Sequence, residues 1–139
     1  MANEAVLIVA TQPPIPFTVA DGAGLEKGTL LKISDPRTVA AADGITNYIG
    51  GILAEEKIAS DGLTQRGVYR GGIFKVTASG SIAVGDLCGF YENNQVYSIS
   101  ALQTISTSGS RVAGIALETA ADTETFLFEL NICGMGEVA

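Results

Sequence analysis

The stretch AVLIVATQPPIPFTVA, Ala5 to Ala20, runs sixteen residues without a charge and carries three prolines at its centre. Proline has no amide hydrogen and a fixed φ, so Pro13, Pro14 and Pro16 rule out a helix and argue against a central strand. Residues that precede proline are pushed toward extended conformations. TQPPIP is therefore expected to be an extended, polyproline-like strap between EAVLIVA and FTVADG. Val6, Leu7, Ile8 and Val9 are apolar on both faces of any strand they form, and such a terminal strand is normally covered on both sides. Either it tucks under its own barrel, or it is an arm that packs on a partner by strand addition, its ordering cost lowered by the prolines. The expectation adopted is the second: residues 1–20 form an N-terminal extended arm, and residues 21–139 form a single β-barrel domain.

Outward from that stretch, the chain reads as all-β. Its 139 residues suit one domain, 47% are hydrophobic and 17% charged, and seventeen glycines with no tryptophan imply short elements joined by tight turns. Strands are expected near Thr29–Ile33, Tyr48–Ala54, Gly67–Arg70, Ile73–Thr77, Leu87–Tyr91, Gln95–Ile99, Arg111–Leu117 and Thr125–Ile132. Asp43-Gly44, Asp61-Gly62, Gly71-Gly72 and Asn93-Asn94 supply turn chemistry between them, because glycine and asparagine tolerate positive φ. YENNQVY, Tyr91 to Tyr97, is the clearest hairpin, and SISALQTIS, Ser98 to Ser106, is the one weak helical signal.

A faint echo runs through the chain. EKGTLLKI (Glu26–Ile33) resembles AVGDLCGF (Ala83–Phe90), and GILAEE (Gly51–Glu56) resembles GIALET (Gly114–Thr119), the two pairs standing at similar but unequal separations. Two similar β-units suggest a closed or nearly closed barrel of pseudo-duplicated halves; glycine-rich strand starts could also look this way by chance.

Charge and composition narrow the function. The net charge is −7, and beyond Lys75 Arg111 is the only base against Asp86, Glu92, Glu118, Asp122, Glu124, Glu129 and Glu137. One half is thus near neutral and the other anionic, and no basic patch exists to neutralise phosphates, so no nucleic-acid partner is expected. No stretch has the length of a membrane span and the start lacks a signal-peptide pattern, so no membrane partner is expected either. Cys88 and Cys133, without CxxC spacing, read as buried thiols. With no histidine and no GxSxG, the usual general base, metal ligand and nucleophile elbow are missing. The glycines at 22, 24 and 28 do not fit a phosphate loop. Glu55 and Glu118 fall at matching places in the echo and are the only candidate carboxylate pair; their default reading is solvent-facing strand ends. No catalytic residue, cofactor or metal is expected.

The residues of three stretches carry a family likeness. EAVLIVATQPPIPFTVADGAGLEKGTLLKISDP, GGILAEEKIASDG, and VYRGGIFKV with VGDL after it make the chain resemble the small bacteriophage head decoration proteins, also called capsid cement proteins. The likeness covers most of the chain and weakens through Gln103–Ser110. It implies a small β-barrel or β-tulip module, made in the bacterial host cytoplasm, that binds the outside of an assembled phage shell as a homotrimer. The implied partner is the major capsid protein, and the implied contact is the N-terminal segment: Val6, Leu7, Ile8, Val9, Pro13, Pro14, Ile15, Pro16 and Phe17. Two other readings stay open at this point. One is a different phage β-barrel module, such as a tail or spike component; the other is a cellular carbohydrate- or ligand-binding β-domain, or a minimal hydrolase using Glu55 and Glu118.

Overall fold

A computed structural model describes residues 2–44, 48–99 and 112–132. The described chain is all-β, as expected, and it holds two β-units, a closed five-stranded barrel and a second sheet. The first unit contains β2 (Ile15–Thr18), β3 (Leu30–Asp35), β4 (Thr38–Ala41), β5 (Ile49–Leu53) and β6 (Gln65–Tyr69), closed in the order β2-β4-β3-β5-β6. The second contains β7 (Gly71–Thr77), β8 (Leu87–Phe90), β9 (Val96–Ser98), β10 (Gly114–Ala116) and β11 (Thr125–Asn131). With β1 (Val6–Val9) they form a six-stranded sheet, β1-β7-β11-β10-β8-β9. That sheet curls toward closure, since Ala78, just past β7, makes a parallel bridge with Val96 of β9.

The echo in the sequence is a structural duplication. Leu31↔Ala41 and Ile33↔Val39 in the β3–β4 hairpin recur, at one constant offset, as Cys88↔Ser98 and Phe90↔Val96 in β8–β9. The bridge Leu25↔Lys57 recurs as Ile82↔Ala120, and the bond from Gly28 N–H to Leu53 O recurs from Gly85 N–H to Ala116 O. Even the bond from Ser60 N–H to Asp21 O returns, from Thr123 N–H to Ala78 O, with φ of 60° at Ser60 and 68° at Thr123. So many matched bonds exclude a chance likeness of glycine turns.

All eight expected strands are present, with shifted ends. Asn93 and Asn94 both have positive φ, 57° and 58°, the geometry of a type I′ turn, whose twist suits a two-residue hairpin. Gly71-Gly72 is not a turn: both residues lie in β7, and the chain changes sheet at Arg70 rather than doubling back. A hairpin reading failed there because two apolar runs flanking glycines look alike whether the strands pair or part. Most of SISALQTIS, together with Arg111, Cys133 and Glu137, lies outside the described residues.

Each unit is filled from matching positions. The first holds Phe17, Val19, Leu31, Val39, Leu53 and Val68. The second is larger, with Phe74, Val76, Phe90, Phe126 and Phe128, and the first unit's Leu30, Ile49 and Ile52 belong to the same cluster. That shared cluster joins the units into one core.

Candidate functional site

The expected boundary at residue 20 is not a structural one. β1 pairs antiparallel with β7, Val6 opposite Lys75 and Leu7 opposite Phe74. β2 pairs with β6 over Ile15–Thr18 and meets β4 at Thr18↔Thr38, so it closes the first unit. The segment expected to be an arm is thus woven into both units of its own chain. Pro16 is tolerated in a barrel strand because β4 joins β2 only at Thr18, leaving one side of Pro16 without a ladder to donate to. Its carbonyl accepts from the Arg37 guanidinium at 2.5 Å.

The nine residues expected at a partner interface divide in two. Phe17 is buried in the first unit's core, with the guanidiniums of Arg37 and Arg70 at 5.6 and 5.8 Å from its ring centre. Leu7 is half-buried against the second unit's core. The others are exposed along the segment: Val6, Ile8 and Val9 are 48–52% exposed, Ile15 is 36% exposed, and Pro13, Pro14 and Pro16 are exposed. The strap fits closely where glycines make room, since a Cβ at Gly67 would meet Pro14 and one at Gly71 would meet Gln12. β1 is an outer strand of its sheet, bulged at Ile8, and carries no charge of its own. An apolar, uncharged edge is a template for pairing and packing, and proteins that do not use such an edge usually guard it with charge.

One constellation escaped the sequence reading. The Lys57 side chain is fully buried and its ammonium donates to Asp21 Oδ1 at 2.9 Å, Ile58 O at 2.7 Å and Asp61 Oδ1. Asp21 Oδ1 also accepts from Gly62 N–H, and Asp61 Oδ1 from Leu63 N–H. Burial acts to lower the Lys57 pKa, but the bonds to Asp61 and Asp21 outweigh it and hold it above its ordinary value. The Lys57 bond in turn holds both carboxyls below theirs. A lysine that stays charged with every proton committed is a staple between two loops, not a nucleophile. The signal lay in EEKIASDG, a lysine with an aspartate four residues on, yet Asp21 lies too far off in sequence to be linked to it by spacing.

Glu55 and Glu118 do occupy equivalent places, and each serves its own unit. Glu55 Oε2 accepts from Gly67 N–H at 3.2 Å and from Arg66, and Glu118 Oε1 accepts from Leu127 N–H at 2.9 Å. Asp122 and Glu124 likewise accept loop amides, from Gly80 and Ala121. Burial pushes the Cys88 thiol up to about 12, which leaves it unreactive as a thiolate at neutral pH. Among the described residues no group of His, Cys, Asp and Glu is placed to hold a metal. Between the units lies an open cleft of about 840 Å³ lined by Asn3, Glu26, Thr29 and Asn93–Gln95, with no aromatic platform.

No family model matches the chain, and no curated protein matches it. Among solved structures, the fold is similar to that of the N base of head fiber gp8.5 in bacteriophage phi29. The TM-score is 0.56 at 18% identity, with 88% of this chain and 98% of that chain covered. The two share an architecture over nearly their whole lengths.

Proposed function

We propose that this chain is a structural protein of a bacteriophage virion that binds the outside of the assembled capsid as a homotrimer and cements contacts between major capsid protein subunits. The observation that carries the reading is the exposed, uncharged apolar ledge of Val6, Ile8, Val9, Pro13, Pro14 and Ile15, on a segment anchored by Leu7 in one core cluster and by Phe17 in the other. It stands on a fold similar to the base of a phage head fiber. The ledge supplies shape and apolar area, and a trimer presents three ledges to one shell site, so weak contacts add at high effective concentration. A protein that binds only the assembled shell stabilises it by RT ln(1 + [L]/Kd) per site, about 2.7 kcal/mol at a hundredfold excess over Kd.

The test is co-pelleting with capsids, followed by DNA release from filled heads on heating. Ile8→Asp and Val9→Asp, on exposed positions, should keep the native circular dichroism and lose most shell binding. Heads stripped of the protein should release DNA at lower temperature than heads to which it is restored. Equal release with and without it would sink the cementing role, and retained binding by both variants would remove the ledge from the interface. Binding through the ledge should weaken little in moderate salt.

A further inference from the structure

The two units meet through a specific pair of surfaces. On the first unit, Leu30 and Ile52 are cross-strand neighbours, each 1% exposed. Beside them docks the β8–β9 turn of the second unit, where Asn94 Oδ1 accepts from Leu30 N–H at 2.7 Å and Asn94 Nδ2 donates to Gly28 O at 3.0 Å. The duplication gives the second unit the same receiving surface. Leu87 and Ile115 are cross-strand neighbours in the register of Leu30 and Ile52, and Gly85 repeats the positive φ of Gly28, 89° against 86°. Among the described residues this surface is less covered: Ile115 is 42% exposed, against 1% for Ile52, and Leu87 is half-buried beside Tyr97, Ile99 and Val112.

The first unit has its own hairpin turn at the equivalent place, with Pro36 where the second unit has Asn93. Arg37, at φ 48°, stands where the second unit has Asn94, at φ 58°. It is exposed and has no carboxylate partner among the described residues; its guanidinium bonds to Pro16 O and lies over the Phe17 ring. Outside the internal contact the receiving surface and the turn therefore each recur once, and the two are opposite in charge. The residue between Gly85 and Leu87 is Asp86, a half-buried carboxylate that accepts from Ala83 N–H and the Ser98 hydroxyl.

We propose that these halves meet between copies: the β3–β4 turn of one chain docks on Gly85–Leu87 of the next, setting Arg37 against Asp86 and covering Leu87 and Ile115. The proposal deepens the homotrimeric reading and rests on its self-association. The contact is head-to-tail, so it closes into a ring when the rotation per copy allows. It joins an apolar patch to a charge pair, and the charge pair fixes the register.

Sedimentation velocity at micromolar concentration tests it, with capsid co-pelleting run in parallel. The wild-type chain should be oligomeric. Ile115→Asp and Arg37→Glu, both on exposed positions, should each weaken association at least tenfold at unchanged circular dichroism. Asp86→Arg should do the same alone, and combined with Arg37→Glu in one chain it should restore association, because the swapped charges meet again at every contact. Asp86 also accepts from Ala83 N–H and the Ser98 hydroxyl, so if Asp86→Arg misfolds, the other two variants carry the test. A monomeric wild-type chain, or an oligomer indifferent to Ile115→Asp and Arg37→Glu, overturns the proposal. An oligomer that responds as stated but never pellets with capsids supports it and overturns the capsid reading instead.

Discussion

The first and second units share a backbone and differ in what fills it. Val68 stands where the second unit has Phe128, Arg66 where it has Phe126, and Lys57 with its two aspartates where it has Ala120. Both sets of fillings sit on the same hydrogen bonds, which teaches that register here is held by turns, bridges and loop caps rather than by a particular core. The second unit is closed by large aromatic side chains. The first, with smaller apolar residues, relies on ion pairs and on the strand Ile15–Thr18.

That reliance gives the largest expected effect. Deleting residues 1–18 removes β2 and Phe17 from the first unit, whose ladder then cannot close, and the chain should unfold or aggregate. Deleting residues 1–9 removes β1, a strand the duplication does not contain, with the core residue Ala5 and the Asn3 bonds to the β8–β9 turn, and both units should keep their β-rich circular dichroism with a lowered melting temperature. Equal collapse of the two truncations would show that β1 is as integral as β2. Next in size is the contrast between cores. Phe128→Ala should cost about 3–5 kcal/mol, and the equivalent Val68→Ala about 2 kcal/mol, measured by urea unfolding. Equal losses would mean that the aromatic and the smaller filling support their units alike.

The Lys57 staple predicts a difference in acid. Asp21 and Asp61 have pKa values held below the ordinary 3.8, so their contribution is present above that value and is lost as pH falls through their folded-state pKa. Lys57, held above the ordinary 10.5, contributes below that value and loses its contribution only as pH rises through its own folded-state pKa. Stability from the staple is therefore flat between about pH 4 and 10 and declines in acid. Lys57→Met leaves two carboxylates without their cation, so it should lower the melting temperature at pH 7 and shrink the loss between pH 4 and pH 2. An unchanged acid profile in Lys57→Met would separate the staple from the acid response.

Much of this was legible in the sequence where the signal was local. The Asn93-Asn94 hairpin follows from two residues that tolerate positive φ, and the duplication from paired motifs at similar separations. The strand at Ile15–Thr18 was not legible, because a proline's missing N–H costs a ladder bond only when the side it would face is paired, and pairing is a tertiary fact. For the same reason the sequence placed Phe17 at an interface: an aromatic after a proline strap looks the same whether it faces a partner or its own barrel. The cation staple and the Leu87–Ile115 surface needed residues far apart in the chain to be brought together.

The smallest effects test how the two units are locked. The β8–β9 turn has two asparagines in left-handed conformation, and glycine takes that conformation without strain, so the two positions separate backbone from side chain. Asn93 offers its backbone carbonyl to Asn3, a bond that survives truncation of its side chain. Asn94 instead uses its side chain three times, to Leu30, Gly28 and Asn3. Asn93→Gly should therefore change stability by no more than a few tenths of a kcal/mol, while Asn94→Gly leaves the buried Leu30 N–H unpaired and should cost about 1–3 kcal/mol. Urea unfolding of both variants decides the matter. If Asn93→Gly matches Asn94→Gly, the turn's backbone conformation governs the hairpin and the side-chain lock between the units is dispensable. If only Asn94→Gly falls, the side-chain lock governs how the two units are joined.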